Sequence, residues 1–236
     1  MHPPMKLFAF ATLFLAMAGC GTRDADTSVA QTPEPETMTP LPAPMPAEPA
    51  PVPPETSVPA PKLQAALREL WHGHIVHARD YALAVHAHKD ADAKQAADEV
   101  VANAKQISGA VAGFYGKAGG DRMMELLGGH WGAVKALADA RAKSDNAAAD
   151  KAMADLTSNA GEIAKFLAGA NPNLPEDTVR GLMLAHGAHH SQQIQQIMAG
   201  DVQGESTTWT AMQQHMDMIA DALAGAIAKQ FPEKAS

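Results

Sequence analysis

From residue 62 onward, apolar side chains recur every three or four residues, and polar side chains fill the positions between them. One such stripe runs from Met123 through Leu127 and His130 to Val134 and Leu137. This spacing places the residues on one face of a helix, which is then the buried face. No stretch shows a convincing strand alternation, so the pattern predicts an all-α fold. Turn signals divide it into six helices, at residues 62–89, 92–115, 121–142, 146–169, 175–199 and 205–230.

Three histidines recur at a constant interval within this helical region. His74, His130 and His186 are separated by 56 residues each time. Asp121 and Asp177, which we predict to be helix N-caps, keep the same interval. Repetition at a fixed period indicates a tandem architecture.

A second polar series follows these histidines, 29 residues after each one, and consists of Asn103, Asn159 and His215. The midpoint of every pair falls in a predicted turn. In an antiparallel hairpin, residues equidistant from the turn face each other, so each histidine should oppose its partner. The sequence therefore predicts a helical bundle of six antiparallel helices, made of three tandem hairpin repeats of 56 residues. The paired polar residues should form a buried layer across an apolar core.

A buried layer of this composition has two interpretations. A histidine paired with an asparagine can be a plain hydrogen-bonded element that fixes the register of the helices. Two neutral imidazoles facing each other, as expected for His186 and His215, lack such a network unless a metal ion bridges them. Imidazole suits zinc and copper, and helical bundles often hold metals in their cores.

We therefore predict a non-catalytic copper or zinc site. Its expected ligands are the histidines on the apolar stripes, with two nearby histidines in reserve and two asparagines orienting the imidazoles. The ligands are His74, His130, His186 and His215, the reserve ligands are His189 and His77, and the orienting residues are Asn103 and Asn159. A b-type haem held by two core histidines is the alternative cofactor. The alternative function is a protein-interaction module of the cell envelope, in which the His/Asn layer is purely structural.

Motifs of enzymes are lacking, and we expect no catalytic residue. The chain has no His-Glu-x-x-His motif, no Cys-x-x-Cys-His motif and no recognisable nucleophile triad. A single Glu69-x-x-His72 is present, whereas a carboxylate-bridged two-metal site needs two such motifs and further core carboxylates. No carboxylate lies clearly on an apolar stripe, so the expected site consists of histidines.

The N-terminal residues have the pattern of an export signal. Lys6 precedes an apolar run over residues 7–18, which is too short to span a bilayer. The segment Met17-Ala18-Gly19-Cys20 resembles the bacterial lipoprotein cleavage box, and Cys20 is the only cysteine. That resemblance implies a signal peptide at 1–19 and lipidation of Cys20. Since Gly21 follows, it also implies an anchor in the outer membrane, facing the periplasm.

Between the signal and the helices lies a proline-rich segment. Residues 33–61 hold 12 of the 17 prolines, which favours an extended polyproline II conformation. We expect residues 20–61 to be a disordered tether and residues 62–236 to be the helical bundle domain. The formal net charge of -8 argues against a nucleic-acid partner. The expected partners are the membrane, through the lipid, and an envelope protein.

Residues 62–232 also resemble a family of uncharacterised bacterial all-helical bundle proteins. The resemblance lies in Leu70-Trp71-x-x-His74, Phe114-Tyr115-Gly116, Asn159-x-x-Glu162-Ile163, Ala170-Asn171-Pro172-Asn173 and Lys229-Gln230-Phe231-Pro232. It implies a helical bundle and a shared set of four histidines, His74, His130, His186 and His215. It implies no particular activity.

Overall fold

A computed structural model describes residues 60–235 of the chain. The predicted signal peptide, Cys20 and nearly all of the tether lie outside these residues. The described part is all-helical and contains no strand. Its helices are α1 (Pro61–His86), α2 (Asp90–Ala142), α3 (Asn146–Ala170), α4 (Glu176–Ala199), α5 (Val202–Gln230) and α6 (Pro232–Ala235).

The helix ends follow from local chemistry. Asp145 and Asp201 cap the N-termini of α3 and α5, where their side chains accept hydrogen bonds from the backbone N–H groups of Ala148 and Gly204. Such caps satisfy donors that the first helical turn leaves without a partner. Gly200 ends α4 at φ 68°, a left-handed conformation that glycine adopts without steric cost.

The largest difference from the predicted boundaries is in α2. The break predicted between the helices at 92–115 and 121–142 is present but narrower than expected: only Gly116, with φ 75° and ψ 174°, is non-helical, and α2 consists of two helical segments joined by this kink. Asp121 therefore lies inside α2 and caps nothing, because the backbone N–H groups around it belong to a continuing helix. Asp177 lies in the first turn of α4, where its charge is still favourable, while Pro175 is the N-cap residue.

The apolar core consists of two clusters. The first contains Leu67, Leu127 and Met183 among others, and the second contains Tyr81, Leu137 and Ile194 among others. Along α1, α2 and α4, membership changes from the first cluster to the second within about a turn of a predicted histidine. The histidines therefore lie at the boundary between two apolar regions.

Among the described helices, none is both long enough and apolar enough to cross a bilayer.

Candidate metal centre

Four histidines meet at the boundary between the two apolar clusters. His74 comes from α1, His130 from α2, and His186 and His190 from consecutive turns of α4. All four are buried, with exposed fractions between 1% and 5%. Their helices pack against one another through apolar stripes, so the positions of the rings are fixed by helix packing.

The four imidazoles form a compact group. One ring nitrogen of each lies within 4.8 Å of one ring nitrogen of every other. The Nε2 atoms of His186 and His190 are 3.1 Å apart, and the six ring-centroid separations run from 4.4 to 6.0 Å. A tetrahedral zinc site with Zn–N bonds of about 2.0–2.1 Å has nitrogens about 3.3 Å apart. A modest inward movement of the rings is enough to reach that geometry.

Several ring nitrogens in this group have no hydrogen-bond partner. Neither Nδ1 nor Nε2 of His74 has one, and the same holds for Nε2 of His130 and Nδ1 of His186. A buried polar atom without a partner loses the hydrogen bonds it made to water, at a cost of about 1–3 kcal/mol. On each neutral ring the nitrogen that carries no proton can bind a metal ion, and such binding would relieve this cost.

Burial keeps the four rings in the neutral form that ligates metals. Burial, assisted by repulsion from His130 and His77, lowers the pKa of His74 to about 3. Burial lowers the pKa of His130 to about 4, although the neighbouring side chain of Asn159 opposes the shift. Burial lowers the pKa of both His186 and His190 well below the usual range. A metal ion consequently displaces no proton from these sites at neutral pH.

The second polar series makes the same contact three times. The side chains of Asn103, Asn159 and His215 donate to the backbone carbonyls of the residues four positions before the three periodic histidines. The distances are 2.9 Å to Leu70 O, 3.0 Å to Leu126 O and 2.9 Å to Leu182 O. The contact holds each helix against its neighbour beside the histidine cluster.

His215 lies outside the group of four. Its Nε2 atom donates to the carbonyl of Leu182, so that nitrogen carries a proton and is not available as a ligand. Its ring stacks edge-on against His189, with centroids 5.1 Å apart. Asn103 and Asn159 were predicted to orient imidazoles. Their amide N–H groups donate to backbone carbonyls instead, and their Oδ1 atoms have no hydrogen-bond partner.

His77 also lies outside the group, one turn after His74 on α1. Its Nδ1 atom is 3.1 Å from Oε2 of Glu99 on α2, and its side chain is 31% exposed. His189 is likewise only partly buried. The structure thus brings three of the six predicted ligands together, namely His74, His130 and His186.

His190 completes the cluster although it was not among the predicted ligands. Its signal is helical spacing: it follows His186 by four residues, which places both rings on the same face of α4. The 56-residue interval conceals it, because the corresponding positions in the other two copies are Val134 and Ala78.

A buried carboxylate corrects another expectation. Glu205 is 6% exposed and accepts hydrogen bonds from Arg79 at 2.6 and 2.9 Å and from Gln193 at 2.9 Å. The hydrogen bonds from Arg79 hold the pKa of Glu205 below its usual value. Because Arg79 already neutralises this charge, Glu205 stabilises the contact of α1, α4 and α5 as an ion pair. Among the described residues it does not belong to the group of potential metal ligands.

Comparison with known proteins adds no relative, since no family model, no curated protein and no solved structure matches this chain.

Proposed function

We propose that this protein binds one transition-metal ion, copper or zinc, without catalysing a reaction on it. The ligands are His74, His130, His186 and His190. The observation that carries the proposal is their convergence: four buried imidazoles each offer a nitrogen within 4.8 Å of the others.

The arrangement of the ligands favours a storage, transfer or structural role over catalysis. Structural zinc sites use four protein ligands, whereas catalytic sites keep one position open for water or substrate. Here four ligands are present, and the most exposed of the rings is 5% exposed. A substrate has no room beside an ion held in this way.

Zinc and copper both fit the donor set. Imidazole nitrogens suit either metal, and the neutral rings carry no charge of their own. A divalent ion leaves two positive charges in the core, and Cu(I) leaves one, which lowers the cost of burial. A b-type haem fits less well, because a macrocycle between two of the rings has to displace the others, whose centroids lie within 6.0 Å.

We further propose that the fold consists of three tandem antiparallel hairpins. Support comes from the contact that recurs at Asn103, Asn159 and His215, each time with a carbonyl 33 residues earlier. We also retain the proposal of a lipid anchor at Cys20 in the cell envelope, which rests on the sequence resemblance alone. A metal-binding domain on a membrane tether would hold its ion close to the envelope surface.

The decisive experiment measures metal stoichiometry. The purified protein is titrated with Zn(II), Cu(II) and Cu(I) against chromogenic chelators, alongside His186→Ala/His190→Ala. The matched control is His86→Ala/His88→Ala, which removes two exposed histidines from the end of α1 and the turn after it. We expect one ion per chain in the unchanged protein and the control, and none in the core double variant.

Binding should also stabilise the fold. An ion that binds only the folded state adds about 2.7 kcal/mol when its concentration is 100 times Kd. A thermal melt should therefore shift upward with metal in the unchanged protein and stay in place in the core variant. If the unchanged protein is folded yet binds no ion, the histidine layer is structural and a protein partner becomes the leading function.

A further inference from the structure

An ion held by the four histidines has to pass through protein to reach them. The ligand side chains are almost fully buried, so none of them meets a hydrated ion directly. A metal site in a core needs an entry path along which water ligands are replaced step by step. The path should begin at a partly exposed ligand that contacts both solvent and the buried cluster.

The groove between α1 and α2 offers such a beginning. It is an open depression of about 530 Å³ whose lining includes Asp80, Asp92, Glu99 and His86. Lys89 also lines it and lies 3.7 Å from Asp92. Carboxylates therefore outnumber cations there, and a negative depression raises the local concentration of metal cations.

Glu99 lines this groove, and His77 lies beside Glu99. Nδ1 of His77 is 3.1 Å from Oε2 of Glu99, and the side chains are 31% and 40% exposed. The pair is close, but Nδ1 of His77 makes no aligned hydrogen bond. The second carboxylate oxygen of Glu99 accepts from Gln95 at 2.9 Å, which holds the carboxylate in place. Glu99 is thus the more exposed member of the pair, and the buried Nδ1 of His77 is the unpartnered nitrogen that an ion would meet next.

The step from this pair to the cluster is short. His77 follows His74 by three residues, so the two imidazoles are neighbours on one face of α1. His72, two residues before His74, points to another face and pairs with Asp217 of α5 at 3.0 Å.

We propose that Glu99 and His77 form the loading point through which the metal ion enters and leaves the buried histidine site. This inference rests on the proposed metal binding. Glu99 attracts the hydrated cation, Glu99 and His77 replace part of its water, and His74 then receives it. The ion keeps its charge throughout, and no bond within the protein is broken.

The test separates rates from affinity. Stopped-flow mixing of Zn(II) with the protein gives the association rate, and excess chelator gives the dissociation rate. In Glu99→Gln and in His77→Ala we expect both rates to fall roughly tenfold, the scale of electrostatic steering, with little change in Kd. In the unchanged protein, salt should slow association, and Glu99→Gln should reduce that dependence.

The matched control is His72→Ala/Asp217→Asn. It removes a pair of the same chemistry, with side chains 34% and 36% exposed, from a face of α1 that does not lead to His74. We expect its rates to equal those of the unchanged protein. Equal slowing in the control and the groove variants would overturn the proposal, and so would unchanged rates in both groove variants. Absence of binding by the unchanged protein removes the metal function itself, whereas normal binding with unchanged rates removes only this route.

Discussion

The histidine-bearing regions of α1 and α2 differ from that of α4, although all three share one backbone contact. In the first two, an asparagine donates to the carbonyl of Leu70 or Leu126, and one histidine faces the cluster. Beside α4, His215 makes that contact with Leu182, and α4 supplies two histidines to the cluster. The comparison shows that position 215 keeps the role of its asparagine counterparts, while α4 supplies two of the four clustered histidines.

The largest expected effect comes from removing the additional histidine of α4. His190→Ala should weaken metal binding by at least about 100-fold, since loss of a ligand exceeds the 10–100-fold effect of losing an outer-shell partner. His215→Asn should bind nearly as tightly as the unchanged protein, because asparagine makes the same contact at the equivalent positions. Chelator competition measures both values. Equal losses in the two variants would contradict the distinction between position 190 and position 215.

Acid should unfold the metal-free protein through the cluster. His130 has a pKa of about 4 when folded, below the value of about 6.5 expected when unfolded. A lowered histidine pKa leaves full stability above about pH 6.5, and stability is lost as pH falls toward the folded value because the unfolded chain binds more protons. The loss from this residue is on the order of 3 kcal/mol.

Chemical denaturation at several pH values measures this effect. His130→Leu should give a flatter dependence of the unfolding free energy between pH 6.5 and 4 than the unchanged protein, whose pKa shift it removes. An identical pH dependence of the unfolding free energy in the two proteins would show that protonation of His130 does not contribute to acid unfolding.

A smaller effect is expected at the shared backbone contact. Asn103→Ala should lower the unfolding free energy by about 1 kcal/mol, the usual net contribution of one hydrogen bond. His215→Asn should cost less, because the amide can still donate to Leu182. Denaturant titrations of the metal-free proteins give both values. A larger loss in His215→Asn than in Asn103→Ala would mean that the His189–His215 stacking matters more than the hydrogen bond.

The smallest effect concerns Gly73, which precedes His74, the first of the three periodic histidines. A Cβ atom at Gly73 would lie 3.0 Å from the amide nitrogen of Asn103, whereas one at Gly132 would meet nothing within 4 Å. Gly132→Ala should stabilise α2 by up to about 1 kcal/mol, since alanine favours helices. Gly73→Ala should gain less, because the Asn103 amide has to shift. Thermal melts of the two variants measure the change in stability. An equal gain in both would show that the Asn103 side chain shifts away from the new Cβ atom without cost.

Much of the fold could be predicted from the helical spacing of apolar residues, because that spacing marks the buried face of each helix. The stripes located every long helix, and the interval of 56 located His74, His130 and His186, all of which are buried. The break within α2 was predicted, but its confinement to Gly116 was not, because the helix resumes directly after this single non-helical residue. The buried ion pair of Glu205 was also missed, because its partner Arg79 lies 126 residues earlier in the sequence.

The histidine cluster shows the limit of repeat-based reasoning. His215 was expected to be a ligand because it should face His186 across the hairpin, yet it donates to a backbone carbonyl as its counterparts Asn103 and Asn159 do. His190 has no polar counterpart, since Ala78 and Val134 occupy the equivalent positions in the second apolar cluster. A repeat identifies what its copies share, whereas the cluster depends on the residue that one copy does not share.

The position of the histidines between two apolar clusters has a consequence for how the molecule opens. Each cluster is a region that can exchange its amide hydrogens with water as a cooperative unit. Without an ion, the boundary between them consists of neutral rings with few hydrogen bonds, so the two regions can open separately. An ion bound at that boundary joins three helices at one point. Amide exchange in the two regions would then slow together, because the two clusters would open only in a single cooperative unfolding event.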